Sequence, residues 1–174
     1  MESVAGEPSL GTNKARLWAP WRLEYVESQA PKGCIFCEKP ALADDRVALI
    51  VARWDTCFAM LNRYPYNNGH LMLAPFRHEA ELSGLEPVEL HELADKVALA
   101  AQALRSAFSA DGLNVGLNLG EAAGAGVAGH LHWHIVPRWD GDTNFMPVVA
   151  DTKVMPQALE TTWEKLKAVF EDLG

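Results

Sequence analysis

The sequence predicts an α+β domain in which two main helices pack on an antiparallel sheet of about five strands. Three short apolar runs, joined by segments rich in turn-forming residues, indicate a meander of strands. Two longer segments instead repeat their apolar residues every three or four positions, which is typical of helices. With 174 residues, the chain is long enough for one domain with a substantial core.

The predicted strands occupy the middle of the chain. They cover Val47–Ala52, Cys57–Leu61, His70–Ala74, Leu113–Leu119 and His130–Pro137. Apolar residues alternate along the fourth run, and successive side chains of a strand point to opposite faces, so this run should present one apolar face. That face would consist of Leu113, Val115, Leu117 and Leu119.

Two apolar stripes predict the helices. The first stripe consists of Leu90, Leu93, Val97, Ala101, Leu104 and Phe108. Ser83, the acidic Glu86 and Glu89, and Pro87 suit the start of this helix. The second stripe consists of Leu159, Trp163, Leu166, Phe170 and Leu173, and Pro156 suits its first turn.

The domain organisation follows from composition. Residues 1–16 are polar and predict a flexible N-terminal tail, whereas 17–174 form a single domain with its core at 34–145 and a C-terminal helix at 156–173. Residues 17–26 are rich in tryptophan and tyrosine, which favours either a segment tethered to the domain or a contact with a partner chain. We see no internal repeat.

Charge and cysteine usage exclude several classes of protein. The formal net charge of −8 argues against binding long nucleic acid through a broad basic face, but it allows a small phosphorylated ligand. No apolar run is long enough to span a membrane, and the first dozen residues do not resemble a secretory signal. Three cysteines, two of them in a Cys-x-x-Cys, indicate metal or redox chemistry in a reducing compartment. We therefore expect a cytoplasmic protein.

Three histidines alternate with apolar residues in the last predicted strand. His130, His132 and His134 would share one face, while Leu131, Trp133 and Ile135 would point to the core. Such a face permits a metal site of three imidazoles. It equally permits nucleophilic or acid–base chemistry on a phosphoryl group. Chance clustering around one structural histidine is the remaining interpretation.

A loop of small residues precedes these histidines. Residues 124–129 match the dinucleotide-binding pattern G-x-G-x-x-G, but that pattern requires a following helix, and a strand is predicted here. The interpretation that remains is a loop whose backbone amides surround phosphate oxygens beside the histidines, or a plain connection between strands.

Taken together, these motifs resemble the histidine triad family of nucleotide hydrolases and transferases. The family pattern His-x-His-x-His matches residues 129–138 (GHLHWHIVPR). The resemblance extends to FAMLNRYP at 58–65, NNGHL at 67–71 and NVGLNLG at 114–120, and so covers about residues 34–145. The flanking segments look most like the diadenosine tetraphosphate phosphorylase branch. The resemblance implies the fold of that family.

The resemblance also implies roles for individual residues. His132 would be the nucleophile that takes up the nucleotidyl group, because imidazole is both a good nucleophile and a good leaving group. His134 would donate to the α-phosphate, and His130 would orient His132 or bind metal. The substrate would be bound by Asn62 at a ribose hydroxyl and, along the phosphate path, by Asn118, Gly126, Val127 and Ala128. Many family members carry Gln-Ser or Gln-Thr where this chain has Gly126-Val127, a departure that leaves room for free phosphate as the acceptor.

The Cys-x-x-Cys at Cys34 and Cys37 is ambiguous by itself among zinc, redox and two buried thiols. A redox pair would open a helix after a strand in a thioredoxin-like unit, and that pattern is absent. His78 and His130 could complete a closed Cys2His2 site, and family members with such a cysteine pair use a similar set. We therefore expect a structural zinc and no organic cofactor. Cys57 is expected in the core, and His91 on a solvated helix face.

Further predictions concern the end of the last strand, the reaction and the partners. Trp139 is a candidate for stacking on adenine, Phe145 for the same role or for the core, and Arg138 for phosphate or a surface ion pair. The expected reaction is nucleotidyl transfer from diadenosine tetraphosphate to inorganic phosphate through His132. Alternatives are a hydrolase of dinucleoside polyphosphates or phosphoramidates, or a nucleotide-binding signalling module with negligible turnover. The resemblance further implies a homodimer or higher homo-oligomer.

Overall fold

A five-stranded antiparallel sheet forms the centre of the fold in the computed structural model, which describes residues 33–142 and 157–173. The elements in chain order are α1 (Ile35–Glu38), α2 (Asp45–Ala48), β1 (Ile50–Arg53), β2 (Cys57–Leu61), β3 (Leu71–Pro75), α3 (Pro87–Phe108), β4 (Gly112–Leu117), β5 (Trp133–Arg138) and α4 (Leu159–Leu173). The strand order is β1-β2-β3-β5-β4, and all neighbours are antiparallel. The predicted α+β class, the five strands and the two main helices are confirmed.

The two faces of the sheet bury different apolar clusters. On one face, α3 and α4 pack over residues that include Leu61, Leu73 and Ile135. The other face carries a smaller cluster, here called the second cluster, which consists of Phe36, Ala48, Ile50, Phe58, Met60, Met72 and Ala74. The long helices therefore leave the second face of the sheet available to short elements and loops.

Several predicted bounds are corrected by local hydrogen bonding. The first predicted strand, Val47–Ala52, begins inside a helix: Val47 and Ala48 belong to α2, because the Asp44 carboxylate accepts from the backbone N–H groups of Arg46 and Val47 and caps this helix. Leu49 then ends that helix in the left-handed region at φ 63°. The strand predicted at His70–Ala74 lies one residue further on.

The first long helix begins at Pro87 rather than at Ser83. Ser83 lies in a separate 3-10 turn, Leu82–Gly84. The helix starts where the Glu89 carboxylate accepts from the backbone N–H of Glu86 at 2.8 Å, which satisfies a donor that the first turn leaves free.

The strand predicted at Leu113–Leu119 ends at Leu117, and its alternating side chains are only partly buried. Leu113 and Leu117 pack against the core, but Val115 is 45% exposed and Leu119 39% exposed. This strand is the edge of the sheet, so its apolar face is partly exposed at Val115, and Leu119 lies beyond the end of the strand.

The last predicted strand, His130–Pro137, begins only at Trp133. His130 and His132 therefore precede the strand, and only His134 of the three lies within it. Pro156, Phe145 and residues 1–32 lie outside the described residues, so the tail at 1–16, the segment 17–26 and the domain limits stay predictions. Among the described helices, none is long and apolar enough to cross a bilayer.

Candidate active site and metal cluster

His132 is held in one tautomer by the main chain. Its Nδ1 lies 2.8 Å from the backbone carbonyl oxygen of His130. Because a carbonyl only accepts, Nδ1 carries the proton and Nε2 keeps a free lone pair. His132 is 4% exposed, and this burial lowers its pKa below the usual value for imidazole. The ring is therefore neutral and nucleophilic at Nε2 near neutral pH.

His134 is held by a fourth histidine. Nε2 of His70 lies 2.9 Å from Nδ1 of His134, and the backbone N–H of Tyr66 donates to Nδ1 of His70 at 3.1 Å. An imidazole that accepts at Nδ1 carries its proton on Nε2, so His70 donates to Nδ1 of His134. The remaining proton of a neutral His134 is then on Nε2. The rings of His132 and His134 lie 4.9 Å apart at 74°.

Sequence reasoning missed His70 as a site residue. It is fully buried in the loop before β3, where Tyr66 stacks on it with ring centroids 4.7 Å apart and an interplanar angle of 26°. The pairing of β3 with β5 sets Met72 opposite His134. His70 is two residues before Met72, and its ring reaches His134 diagonally across the strands. The Gly-His-Leu motif was the available signal, but it required the strand pairing to be interpreted.

His130 belongs to a different group of side chains. Its Nε2–H donates to the carbonyl oxygen of Pro75 at 2.9 Å, so its Nδ1 is free to bind. That Nδ1 lies 3.3 Å from Sγ of Cys34 and 3.5 Å from Sγ of Cys37, and Nδ1 of His78 lies 3.3 Å from Sγ of Cys37. All four ligand atoms lie within 4.8 Å of one another. We call Cys34, Cys37, His78 and His130 the metal cluster.

The distances in the metal cluster fit a tetrahedral ion. With usual zinc bonds to sulfur and nitrogen, the sulfur–nitrogen edge of a tetrahedron is about 3.6 Å, close to the separations seen here. Desolvation and the neighbouring Cys34 thiol raise the pKa of Cys37, so a bound cation would be what favours the thiolate form. The geometry is compatible with zinc, as the sequence predicted.

The three triad imidazoles do not converge on one point. Nδ1 of His130 faces the thiols, Nδ1 of His132 faces a carbonyl, and Nδ1 of His134 faces His70. Within residues 33–142 and 157–173, the metal cluster is the group of histidine, cysteine and acidic side chains that could hold an ion. The alternative of a metal bound by three imidazoles is therefore not favoured.

The predicted substrate-binding residues Asn62 and Asn118 form hydrogen bonds within the protein. Asn62 directly follows β2; its side-chain oxygen accepts from Tyr64 N at 2.9 Å, and its backbone N–H donates to the carbonyl of His70 at 3.0 Å. The Asn118 side chain donates to the carbonyl of Gly124 at 3.4 Å and so ties the start of the small-residue loop. These contacts leave both assignments to substrate as predictions.

The small-residue loop passes next to the metal cluster. The backbone N–H of His130 donates to the Val127 carbonyl at 3.4 Å, and the Val127 side chain packs against the second cluster. A Cβ added to Gly129 would lie 3.7 Å from Nε2 of His78. Gly126, Val127 and Ala128 are separated from His130 only by Gly129, and their contact with phosphate stays a prediction.

The residues after the triad strand make structural contacts. Arg138 donates to both carboxylate oxygens of Asp142, at 2.6 and 2.9 Å. Of the two interpretations of Arg138, phosphate binding or a surface ion pair, this contact agrees with the ion pair. The Trp139 indole N–H donates to the carbonyl of Phe108 at 3.1 Å. At about 3.3 Å per strand residue, Trp139 lies about 16 Å along the chain from His134. Its stacking on a base stays a prediction.

Two residues that were predicted to lie outside the site, Cys57 and His91, have the predicted surroundings. Cys57 is fully buried in the larger apolar cluster, and burial raises the pKa of its thiol to about 12. His91 lies exposed on α3.

Comparison with known proteins extends this description. Residues 45–141 match the HIT domain family. AP-4-A phosphorylase from Mycobacterium tuberculosis strain H37Rv is 42% identical over 156 residues, which cover 84% of this chain and 80% of that protein. Two solved structures have the same fold. A zinc-bound histidine triad family protein from Mycobacterium smegmatis has a TM-score of 0.65 and 26% identity over 81% of this chain and 95% of its own.

The second structure is a hypothetical histidine triad nucleotide-binding protein from Sulfolobus tokodaii. Its TM-score is 0.65, with 28% identity over 80% of this chain and 93% of its own. The family match covers more than half of the chain and includes all three triad histidines. The resemblance that the motifs indicated is confirmed, and the chain belongs to the HIT domain family.

Proposed function

We propose that the protein transfers a nucleotidyl group from diadenosine tetraphosphate to inorganic phosphate through a covalent nucleotidyl-His132. The observation that carries the proposal is the tautomer of His132, which leaves Nε2 of this largely buried ring unprotonated and able to attack. The 42% identity to a protein named AP-4-A phosphorylase supports the choice of substrate and acceptor. The HIT family membership supports the reaction class.

The reaction has two displacements at phosphorus. Nε2 of His132 attacks the α-phosphorus, a P–N bond forms, and the bond to the bridging oxygen breaks to release ATP. An oxygen of inorganic phosphate then attacks the same phosphorus and breaks the P–N bond, which yields ADP and restores the imidazole. The overall reaction converts one diadenosine tetraphosphate and one phosphate into one ATP and one ADP.

His134 would stabilise charge in both displacements. Since Nδ1 of His134 accepts from His70, its remaining proton is on Nε2, and this N–H would donate to phosphate oxygens of the substrate. Asn62 would bind a ribose hydroxyl, and Asn118 with the amides of residues 126–128 would line the phosphate path. Gly126 leaves free the space that a glutamine side chain takes in many relatives, Val127 lacks the hydroxyl found there, and an incoming phosphate would use that space.

We further infer that the metal cluster holds a structural zinc ion. Two thiols and two imidazole nitrogens, with separations that fit a tetrahedron, are the donor set of a closed zinc site. A zinc ion bound there would link α1 to the residues around the triad, and it would supply no position for substrate because all four ligands come from the protein. The zinc-bound M. smegmatis relative supports this assignment.

Product analysis tests the proposal. Diadenosine tetraphosphate is incubated with the protein with and without radiolabelled inorganic phosphate, and the nucleotides are separated. We expect ADP and ATP only when phosphate is present, with the label in ADP. AMP and ATP formed regardless of phosphate would show a hydrolase, and binding without any product would favour the signalling module.

Two variants make the experiment specific. His132→Gly should form no product, whereas His91→Gly, which changes an exposed histidine on α3, should react like the wild type. Acid-labile, base-stable radiolabel retained on the protein after a short reaction with α-labelled substrate would identify the nucleotidyl-histidine. Equal turnover by His132→Gly and the wild type would refute the assignment.

A further inference from the structure

The nucleophile and the metal cluster are joined by one aromatic ring. Phe36 lies between Cys34 and Cys37 in sequence, and its ring stacks on the imidazole of His132 with centroids 4.6 Å apart and an interplanar angle of 28°. The same ring lies 5.3 Å from His130. Phe36 is 1% exposed, so both neighbours pack against a side chain that has little space to move.

The element that carries Phe36 cannot hold itself in place. The helix α1 has four residues, far fewer than an isolated helix needs for stability. Its N-cap residue, Cys34, makes no side-chain cap hydrogen bond. What fixes α1 is the burial of Phe36 on one side and the approach of its two thiols to His78 and His130 on the other. A metal ion in the cluster would therefore fix the position of the ring.

The orientation of His132 depends on two contacts of different kinds. The hydrogen bond from Nδ1 to the His130 carbonyl sets the rotation of the ring about its own axis. Stacking against Phe36 closes one face and restricts the swing of the whole side chain. Attack on phosphorus requires Nε2 to lie in line with the leaving oxygen, and a displacement of about 1 Å can lower such a rate about a hundredfold.

We propose that Phe36 is a positioning residue through which the metal cluster orients His132 for attack. The inference rests on the proposed nucleotidyl transfer for its kinetic consequence, but the structural relationship can be measured without substrate. Phe36 itself has no polar atom and takes no part in bond making. Its effect should appear in kcat and leave substrate affinity almost unchanged.

The kinetic test compares two phenylalanine variants of the zinc-loaded, full-length protein. Phe36→Leu removes the stacked ring, and Phe170→Leu removes a buried ring on α4, across the sheet, where Phe170 packs 5.8 Å from Trp54. We expect Phe36→Leu to form nucleotidyl-His132 about thirtyfold more slowly in a single turnover, with KM within about threefold of wild type and with its zinc retained. Phe170→Leu should react at the wild-type rate.

A spectroscopic test needs no substrate. In ¹⁵N NMR spectra of the histidine side chains, the wild type should show a slowly exchanging Nδ1–H on His132. We expect this signal to be lost in zinc-loaded Phe36→Leu and in chelated wild type, and to be retained in Phe170→Leu. If chelation unfolds the chain, as judged by circular dichroism, cadmium replaces zinc; its larger radius should then shift the signal.

Each other outcome overturns the proposal in a recognisable way. Loss of zinc from Phe36→Leu would mean that the ring only holds the cluster. If the Nδ1–H signal of His132 is lost in Phe36→Leu but does not change when the metal of the wild type is exchanged or removed, Phe36 orients His132 without the metal. A retained signal and an unchanged rate would remove the positioning role. A wild type that forms no nucleotidyl-histidine would instead refute the proposed function, while the NMR result would still decide the role of Phe36.

Discussion

Nε2 of His70 lies 2.9 Å from Nδ1 of His134, and this contact connects the loop before β3 to the triad strand. Because the backbone N–H of Tyr66 occupies the other nitrogen of His70, the proton between the two histidines belongs to His70. The contact thereby places the remaining proton of a neutral His134 on Nε2.

Removal of the His70 donor should slow catalysis. We expect His70→Phe to lower kcat by about a hundredfold, because His134 loses the group that fixes its ring and tautomer. His70→Gln keeps an N–H donor and should retain more activity than His70→Phe. Steady-state kinetics at matched folded fraction check this, with thermal melts as the control. Equal kcat values for both variants and the wild type would contradict the role.

His132→Gly should abolish turnover while nucleotide affinity stays within about tenfold of the wild type, since the imidazole contributes chiefly to the transition state. Calorimetric titration with the substrate measures affinity, and the labelled product assay measures turnover. A large loss of affinity with residual turnover would show that His132 binds substrate and that another group attacks.

The metal cluster predicts about one zinc ion per chain in the purified protein. Cys37→Ser should lose this zinc, because it replaces a thiolate that the site requires. Cys57→Ala, which changes the buried cysteine of the core, and His132→Ala should both retain it. Metal analysis by mass spectrometry distinguishes these cases. Zinc lost from His132→Ala would instead favour the site of three imidazoles.

The ion pair between Arg138 and Asp142 predicts a pH-dependent part of the stability. Its hydrogen bonds lower the pKa of Asp142 to about 2. A carboxyl whose pKa is lowered in the folded state stabilises the protein at pH values above its unfolded pKa of about 3.9. This contribution is lost as the pH falls from that value through the folded pKa of about 2.

We therefore expect Asp142→Asn to lower the free energy of unfolding by about 1 kcal/mol at neutral pH, since the Arg138 side chain is partly exposed and the pair is screened. The difference from wild type should shrink as the pH falls from about 4 to about 2. Asp140→Asn is the control, because Asp140 makes no ion pair among the described residues. Denaturant titrations at several pH values measure this, and a difference that does not change with pH would contradict it.

Gly69 combines a positive φ of 75° with a close neighbour. A Cβ at this position would lie 2.9 Å from Cε2 of Phe108, so Gly69→Ala requires both strain and a shift of the ring. We expect a loss of about 2 kcal/mol in the free energy of unfolding. Gly116→Ala, where nothing lies within 4 Å of the added Cβ, should change stability by less than about 0.5 kcal/mol. Similar losses of stability in Gly69→Ala and Gly116→Ala would mean that the close approach of Gly69 to the Phe108 ring is unimportant for stability.

The elements with strong local patterns could be predicted from the sequence. Cys57–Leu61 is a strand with the predicted bounds, since it is apolar throughout and buried on both faces. The stripe along α3 was visible because its period matches a helix. The end of helix α2 at Leu49 could not be predicted, because the apolar run Val47–Ala52 is compatible with either a helix or a strand. The hydrogen bonds of the Asp44 side chain favour the helix at its start.

The residues of the metal cluster and the three triad histidines could be predicted from the sequence, but their geometry could not. Cys34, Cys37, His78 and His130 were named from the motif and the resemblance, and the fold brings their ligand atoms together. The link from His70 to His134 depends on the register of β3 against β5, and the stacking of Phe36 on His132 depends on tertiary packing. Neither of these two contacts produces a periodic pattern or a fixed residue spacing that could be recognised in the sequence.

In the hydrogen bond that sets the tautomer of His132, the acceptor is a main-chain oxygen, and every residue type offers the same carbonyl at position 130. Mutation at that codon can therefore delete a metal ligand without deleting the acceptor. A descendant of this chain could lose the metal cluster in evolution and keep the tautomer of His132, provided that new packing held Phe36 against the ring.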